Sequence, residues 1–507
     1  MQPLNRRNFL KAAATVAAVK VLPARAMVPE PPLSLTSDEL AALDATGQAE
    51  LVRQKKISPL ELVESAIIRI EKYDPGLNSV ITRTFEQARK QASQPLPPGP
   101  FTGVPFLVKD LEPVAGVRQT FGSGAFKSNV ATYTSEVIQR MERSGLILVG
   151  KSNTPEFGLL PVTEPRAFGP TRNPWNTAHS PGGSSGGAAA AVAAGLVPIA
   201  TASDGGGSIR IPASCCGLFG LKISRGRNPE APGVKDSGLS VLHCVARSVR
   251  DSAALLDATR GPTPGERWYA PPPKRPYLQE VGAPPGKLRI AFTTKDFAGT
   301  PVHPDCAQAV ESTARLCLEL GHSVEEAAPQ FDGRTFGESF LVLWAAIAGS
   351  VVKNANKLSG GKITVEAFEP WTQKLVEMDA RHAPSDLSLV WTGVMQKANL
   401  AMLQLLSKYD VLLTPVLGRP PIKIGELDQG LPVETLIPWL NAYVPFTPLA
   451  NATGQPAMSV PLFWNASGLP IGSHFFGRHN DEATLLRLAA QLEQARPWSK
   501  HQIKRSI

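Results

Sequence analysis

Cysteine is scarce in this 507-residue chain: there are five, an odd number, and no two stand in a C-x-x-C pair. That excludes a disulfide framework and gives no sign of a thiolate metal or redox centre. The eight histidines show neither H-x-x-x-H nor H-E-x-x-H spacing, so a zinc site would need ligands gathered from distant segments, and neither metal nor cofactor is expected. No uninterrupted apolar run reaches membrane-spanning length. With 43% hydrophobic and 19% charged residues, the composition is that of a soluble globular protein rather than a membrane-bound one. The formal net charge of +9 also shrinks on inspection, because the first 26 residues hold five lysines or arginines and no acid, which leaves +4 for the rest. So small a surplus does not predict nucleic-acid binding.

Those first residues stand apart. Arg6-Arg7-Asn8-Phe9-Leu10-Lys11, an alanine and valine stretch to Leu22, and Ala24-Arg25-Ala26 resemble a twin-arginine export signal with an A-x-A cleavage site, although Lys20 interrupts the apolar stretch. The expected organisation is a signal peptide over 1–26, a proline-rich linker over 27–35 and one domain over 36–507, with a periplasmic or secreted product of bacterial origin. Two helices are expected after the linker. Ser58-Pro59-Leu60-Glu61 has the form of a capping box with proline at the first helical position, and Leu60, Val63, Ile67 and Ile70 follow at helical spacing as packing residues.

From about 78 to 260, short apolar runs such as 104–108 and 146–149 alternate with helical patterns, which predicts strands of an α/β sheet. The proline-rich stretch 261–285 reads as a surface connection, with a strand over 288–292 able to rejoin the same sheet. The stretch from about 301 to 410 is mostly helical, and 411–414 reads as one more buried strand. No internal repeat is evident.

The densest pattern is Pro181-Gly182-Gly183-Ser184-Ser185-Gly186-Gly187, then an alanine-rich helix, a strand-like run over 196–201, and Asp204-Gly205-Gly206-Gly207-Ser208-Ile209-Arg210-Ile211-Pro212. A glycine-serine cluster can be a flexible linker. One lying between Trp175 and an alanine helix, with a second glycine cluster ending in serine 24 positions on, does not fit that description. Three successive glycines let backbone N–H groups turn toward a single point, which makes an oxyanion hole. A serine beside it is a natural nucleophile but needs a base, and neither cluster contains a histidine. Lys109 closes the apolar run Gly103-Val104-Pro105-Phe106-Leu107-Val108. Burial would disfavour its charged form and let it serve as a neutral base, whereas a lone strand-end lysine can equally be a surface charge.

These clusters, together with Gly150-Lys151-Ser152-Asn153-Thr154-Pro155-Glu156-Phe157, Arg172-Asn173-Pro174-Trp175 and Asn451-Ala452-Thr453-Gly454-Gln455-Pro456-Ala457, resemble the amidase signature family. The resemblance extends from Gln48 to Trp498. It implies a single α/β domain, a mixed twisted sheet covered by helices on both faces. It also implies Ser208 as nucleophile, Ser184 as a bridging serine after a cis Gly183–Ser184 peptide, and Lys109 as base. Gly205, Gly206, Gly207 and the Ser208 N–H would form the oxyanion hole. Ser185 would bond within the triad, while Asp204 and Arg210 would anchor the nucleophile turn or act as a structural ion pair. A base of this kind predicts activity that falls at acidic pH; a flat profile down to about pH 5 would count against it. Cys215 and Cys216 read as packing residues in a helix.

The substrate pocket is expected to draw on 156–165, 340–347 and 437–446, with Trp344, Trp439, Tyr443 and Phe446 giving it an aromatic cast. This favours small hydrophobic, aryl, or linear and cyclic oligomeric amides, and Thr163-Glu164-Pro165 before Arg172 resembles hydrolases of cyclic amide oligomers. An esterase or carbamate hydrolase with the same triad, and a glutamine-hydrolysing amidotransferase subunit, stand as alternatives. The expected partner is a small-molecule amide, and homo-oligomerisation stays open.

Overall fold

The capping box at Ser58 forms as the sequence predicts. Ser58 Oγ accepts the Glu61 N–H at 3.2 Å, the Glu61 carboxylate accepts the Ser58 N–H at 2.7 Å, and the helix Pro59–Tyr73 follows. Its Val63, Ile67 and Ile70 are buried in a core cluster, with Leu60 packed at the edge. Three helices rather than two occupy this region. Ser37–Ala42 ends where Leu43 turns extended, and the next residue, Asp44, caps a new helix, Ala45–Arg53. The structure, a computed structural model, describes residues 36–231, 238–501 and 503. The expected export signal (1–26) and linker (27–35) lie outside the described residues.

Among the described residues, eleven strands form one mixed sheet. They are β1 (Val80–Arg83), β2 (Pro105–Lys109), β3 (Ile147–Ser152), β4 (Ile199–Asp204), β5 (Phe219–Lys222), β6 (Val241–Ala246), β7 (Arg289–Phe292), β8 (Ser323–Glu326), β9 (Val411–Pro415), β10 (Ala457–Trp464) and β11 (Pro470–Phe476). Their order is β1-β3-β2-β4-β6-β5-β10-β11-β9-β7-β8. β2, β3, β4 and β6 are buried along their whole lengths, as central strands covered on both faces are. The connection 261–285 holds only a short 3-10 turn, Tyr277–Glu280, before β7 rejoins the sheet, as expected. The five cysteines are free and buried.

One described helix, Gly333–Leu358, is long and apolar enough to cross a membrane by length and composition alone. Phe336, Leu343, Ala345, Ala348 and Val352 on it are buried within the protein. The strand pairing matters most for the site. β2 runs parallel to β4 with Leu107 opposite Ala200, so both strands deliver their carboxyl ends to the same edge. Lys109 ends one strand and Asp204 the other, at the position where open α/β sheets bind ligands.

Candidate active site

Lys109 is fully buried, not a surface charge. Its backbone N–H donates to Thr201 Oγ1 on β4 at 2.8 Å, which fixes the strand end. Its Nζ lies 2.7 Å from Ser184 Oγ, 2.9 Å from Ser185 Oγ and 3.0 Å from Ser203 Oγ. The Gly183–Ser184 peptide is cis. Behind it, Gly183 packs so tightly on the Val162 backbone that a Cβ would lie 2.6 Å from its N and O atoms. Ser185 Oγ also reaches the Ser203 carbonyl, at 3.3 Å. Ser203 was not among the residues singled out from sequence.

Asp204 organises the turn that carries Ser208. Its carboxylate accepts Arg210 Nε and Nη2, each at 2.9 Å, as well as the Gly207 N–H at 2.8 Å and the Ile209 N–H at 3.2 Å. Burial alone would raise this carboxyl, but the charge and hydrogen bonds of Arg210 outweigh it and hold Asp204 well below the usual carboxylate range. Arg210 donates further to the Thr447 carbonyl and Asn451 Oδ1, and its Nη1 lies 3.0 Å from His474 Nε2. Burial, then the nearby Arg210 charge, hold His474 well below its ordinary pKa, so it faces the guanidinium as a neutral ring.

This arrangement corrects one expectation. Gly207 was assigned to the oxyanion hole, but its N–H donates to the Asp204 carboxylate at 2.8 Å. Its role is steric: φ is +131°, and a Cβ would lie 2.3 Å from Thr447 Oγ1. The N–H groups of Gly205, Gly206 and Ser208 have no protein acceptor among the described residues and stay available to an oxyanion.

Ser208 opens into a pocket with Gly158, Leu159, Leu160, Pro161, Ile211, Phe340, Leu341, Trp344, Trp371, Leu440, Asn441 and Val444 in its wall. Ser184 lies directly behind Gly158, where a Cβ would meet Ser184 Oγ at 3.0 Å. All three expected segments contribute. Of the four aromatics expected, Trp344 lines the pocket, whereas Tyr443 and Phe446 are fully buried elsewhere and Trp439 packs behind the wall. Trp371 was not anticipated. Cys215 and Cys216 are buried in the helix Arg210–Cys216, and burial pushes the Cys215 thiol up to about 12, which removes it as a second nucleophile.

A model of the Amidase family matches residues 61–486. The chain is 39% identical over 471 residues to a 6-aminohexanoate-cyclic-dimer hydrolase of Pseudomonas sp. (strain NK87), covering 90% of this chain and 95% of the relative. A solved structure of 6-aminohexanoate cyclic dimer hydrolase superposes with a TM-score of 0.87 at 36% identity, covering 92% of this chain and 99% of that one. A bacterial aryl acylamidase of the amidase signature family superposes with a TM-score of 0.82 at 28% identity, covering 90% and 97% respectively. A match of this extent, over a mixed sheet that brings the lysine and both glycine-serine clusters to one edge, makes the chain a member of the Amidase family, the amidase signature enzymes, and a hydrolase of amide C–N bonds.

Proposed function

We propose that Ser208 is the nucleophile, Ser184 the proton bridge and Lys109 the base, acting through an acyl-enzyme. The observation that carries this is the 2.7 Å approach of buried Lys109 Nζ to Ser184 Oγ, beside a pocket that exposes Ser208. The hydroxyls around Nζ order its protons. Ser185 Oγ donates to the Ser203 carbonyl, so toward Nζ it can only accept, and Ser203 Oγ is placed to accept the second N–H. A neutral amine has two N–H bonds and one lone pair, and the lone pair is left for the Ser184 hydroxyl.

Lys109 then draws the Ser184 proton as Ser184 takes that of Ser208, and Ser208 Oγ attacks the carbonyl carbon. Gly205, Gly206 and Ser208 N–H groups meet the oxyanion, each such donor being worth about 3 kcal/mol in transition-state stabilisation. Return of the proton through Ser184 to the leaving nitrogen breaks the C–N bond and leaves an ester on Ser208. Water, deprotonated by the same route, releases the acid. The apolar wall and the substrates named for the relatives support uncharged hydrophobic, aryl or oligomeric amides as substrates. A panel of aryl amides, aliphatic amides and amide oligomers should be cleaved by the native protein and not by Ser208→Ala. Cleavage that survives in the variant would remove Ser208 from the role.

We further propose twin-arginine export from residues 1–26. Arg6→Lys with Arg7→Lys should leave the enzyme in the cytoplasmic fraction, and unchanged periplasmic recovery would count against it.

A further inference from the structure

Among side chains, the pocket wall offers almost nothing that can hydrogen-bond a substrate beyond the reacting carbonyl. Leu160, Phe340, Leu341 and Val444 are apolar, and among the described residues no Asp, Glu, Lys, Arg or His side chain lines it. The two indoles are already occupied, because Trp344 Nε1 and Trp371 Nε1 both donate to the Leu159 carbonyl, at 3.1 and 3.2 Å. Asn441 is the exception. It sits near the end of the helix Val433–Tyr443, is exposed, and faces Gly337 across the pocket mouth, where a Cβ would lie 3.7 Å from its Cγ and Nδ2. Its amide has no hydrogen-bond partner among the described residues.

Resting on the site proposed above, we propose that Asn441 is a specificity-determining residue that pairs with a second, uncharged amide of the substrate and so selects diamides. A carboxamide offers one donor edge and one acceptor edge, and a substrate amide matches both. A second amide buried elsewhere in this wall would lose its water without replacement, and a charged tail would lose more. The wall therefore favours an uncharged diamide over an amide ending in ammonium or carboxylate.

The test uses amides of one length: one wholly apolar, two carrying a second amide on the acyl or the amine side, and one ending in a free ammonium. Asn441→Leu should lower kcat/KM for at least one diamide by roughly five- to tenfold, the worth of one net hydrogen bond, while the apolar amide changes by less than about threefold. Asn441→Asp should raise the ammonium-ended amide relative to the apolar one. Equal effects on diamides and the apolar amide, or none, overturn the inference. If the native protein turns over none of these amides, the triad assignment fails, and calorimetric binding of the same set to native and Asn441→Leu protein decides the subsite by the same ratio.

Discussion

In the proposed relay, Lys109 Nζ is met by the hydroxyls of Ser184, Ser185 and Ser203, and the last of them makes a testable point. At 3.0 Å from Nζ it is positioned to hold one N–H, leaving the lone pair directed at Ser184. Ser203→Ala frees that N–H to rotate, so kcat should fall about tenfold with KM unchanged, as for an interaction used only in the reacting state. Steady-state kinetics on any cleaved amide checks this; an unchanged kcat would mean that Ser203 only fills space. The residue was legible in principle. Thr201 and Ser203 lie two apart, on one face of β4, and that face meets Lys109 twice, through Thr201 Oγ1 and Ser203 Oγ. The apolar run in the sequence stops at Thr201, whereas the observed strand continues to Asp204, so the second hydroxyl fell outside the expected strand. Lys109, Ser184 and Ser208 each close or open a local pattern of glycines or apolar residues, but the roles expected of Lys109 and Ser184 came from the family resemblance and not from those patterns alone.

At the scale of elements, the turn that carries Ser208 is held by a partner that no local pattern reveals. Asn451, 241 positions from Arg210, accepts from its Nη2 at 2.7 Å. Asn451 Nδ2 in turn donates to the Asp204 carbonyl, the Asp204 carboxylate and the Leu239 carbonyl. Asn451→Ala removes these four buried hydrogen bonds at once, a loss of about 2–4 kcal/mol. Thermal unfolding at matched scan rates should show a midpoint lower by roughly 5 °C, and kcat should fall with it as the turn loosens. A variant with native midpoint and kcat would mean that the Asp204–Arg210 pair suffices. The Asn451 motif contributed to the family resemblance, but its role depends on strands that periodicity did not expose. β10 and β11 are buried on both faces over most of their length, so polar alternation is absent, and Pro461 interrupts β10 where its register with β11 shifts between Val460 and Phe463. β5 and β6 were missed for different reasons, one being only four residues long and the other having its apolar run interrupted by the buried His243.

At the scale of the whole molecule, segments far apart in the chain meet over a cluster of acids. Asp251, at the start of the helix Val249–Thr259, accepts the N–H groups of Ala45 and Thr46, which open the helix Ala45–Arg53. Asp44 pairs with Arg250 at 2.6 Å, and Glu493, on the helix Glu482–Ala495, reaches the Val249 N–H at 3.4 Å. Burial raises the Asp44 carboxyl less than Arg250 and Ser248 lower it, so Asp44 keeps its charge. Burial, then the charges of Asp44 and Asp251, push Glu493 up to about 7, with the Val249 N–H and Arg250 only partly offsetting them. The native state therefore binds this proton more tightly than the unfolded chain, whose glutamate titrates near 4.5. Its contribution to stability is complete below about pH 4.5 and is lost as pH rises toward 7. Glu493→Gln keeps the shape without the charge. The variant should unfold about 1–2 °C above the native protein at pH 8, corresponding to about 1 kcal/mol, and the gap should close by about pH 4. A midpoint difference independent of pH would mean that the Glu493 carboxylate is satisfied where it lies, and that the meeting of these three helices is not governed by its proton.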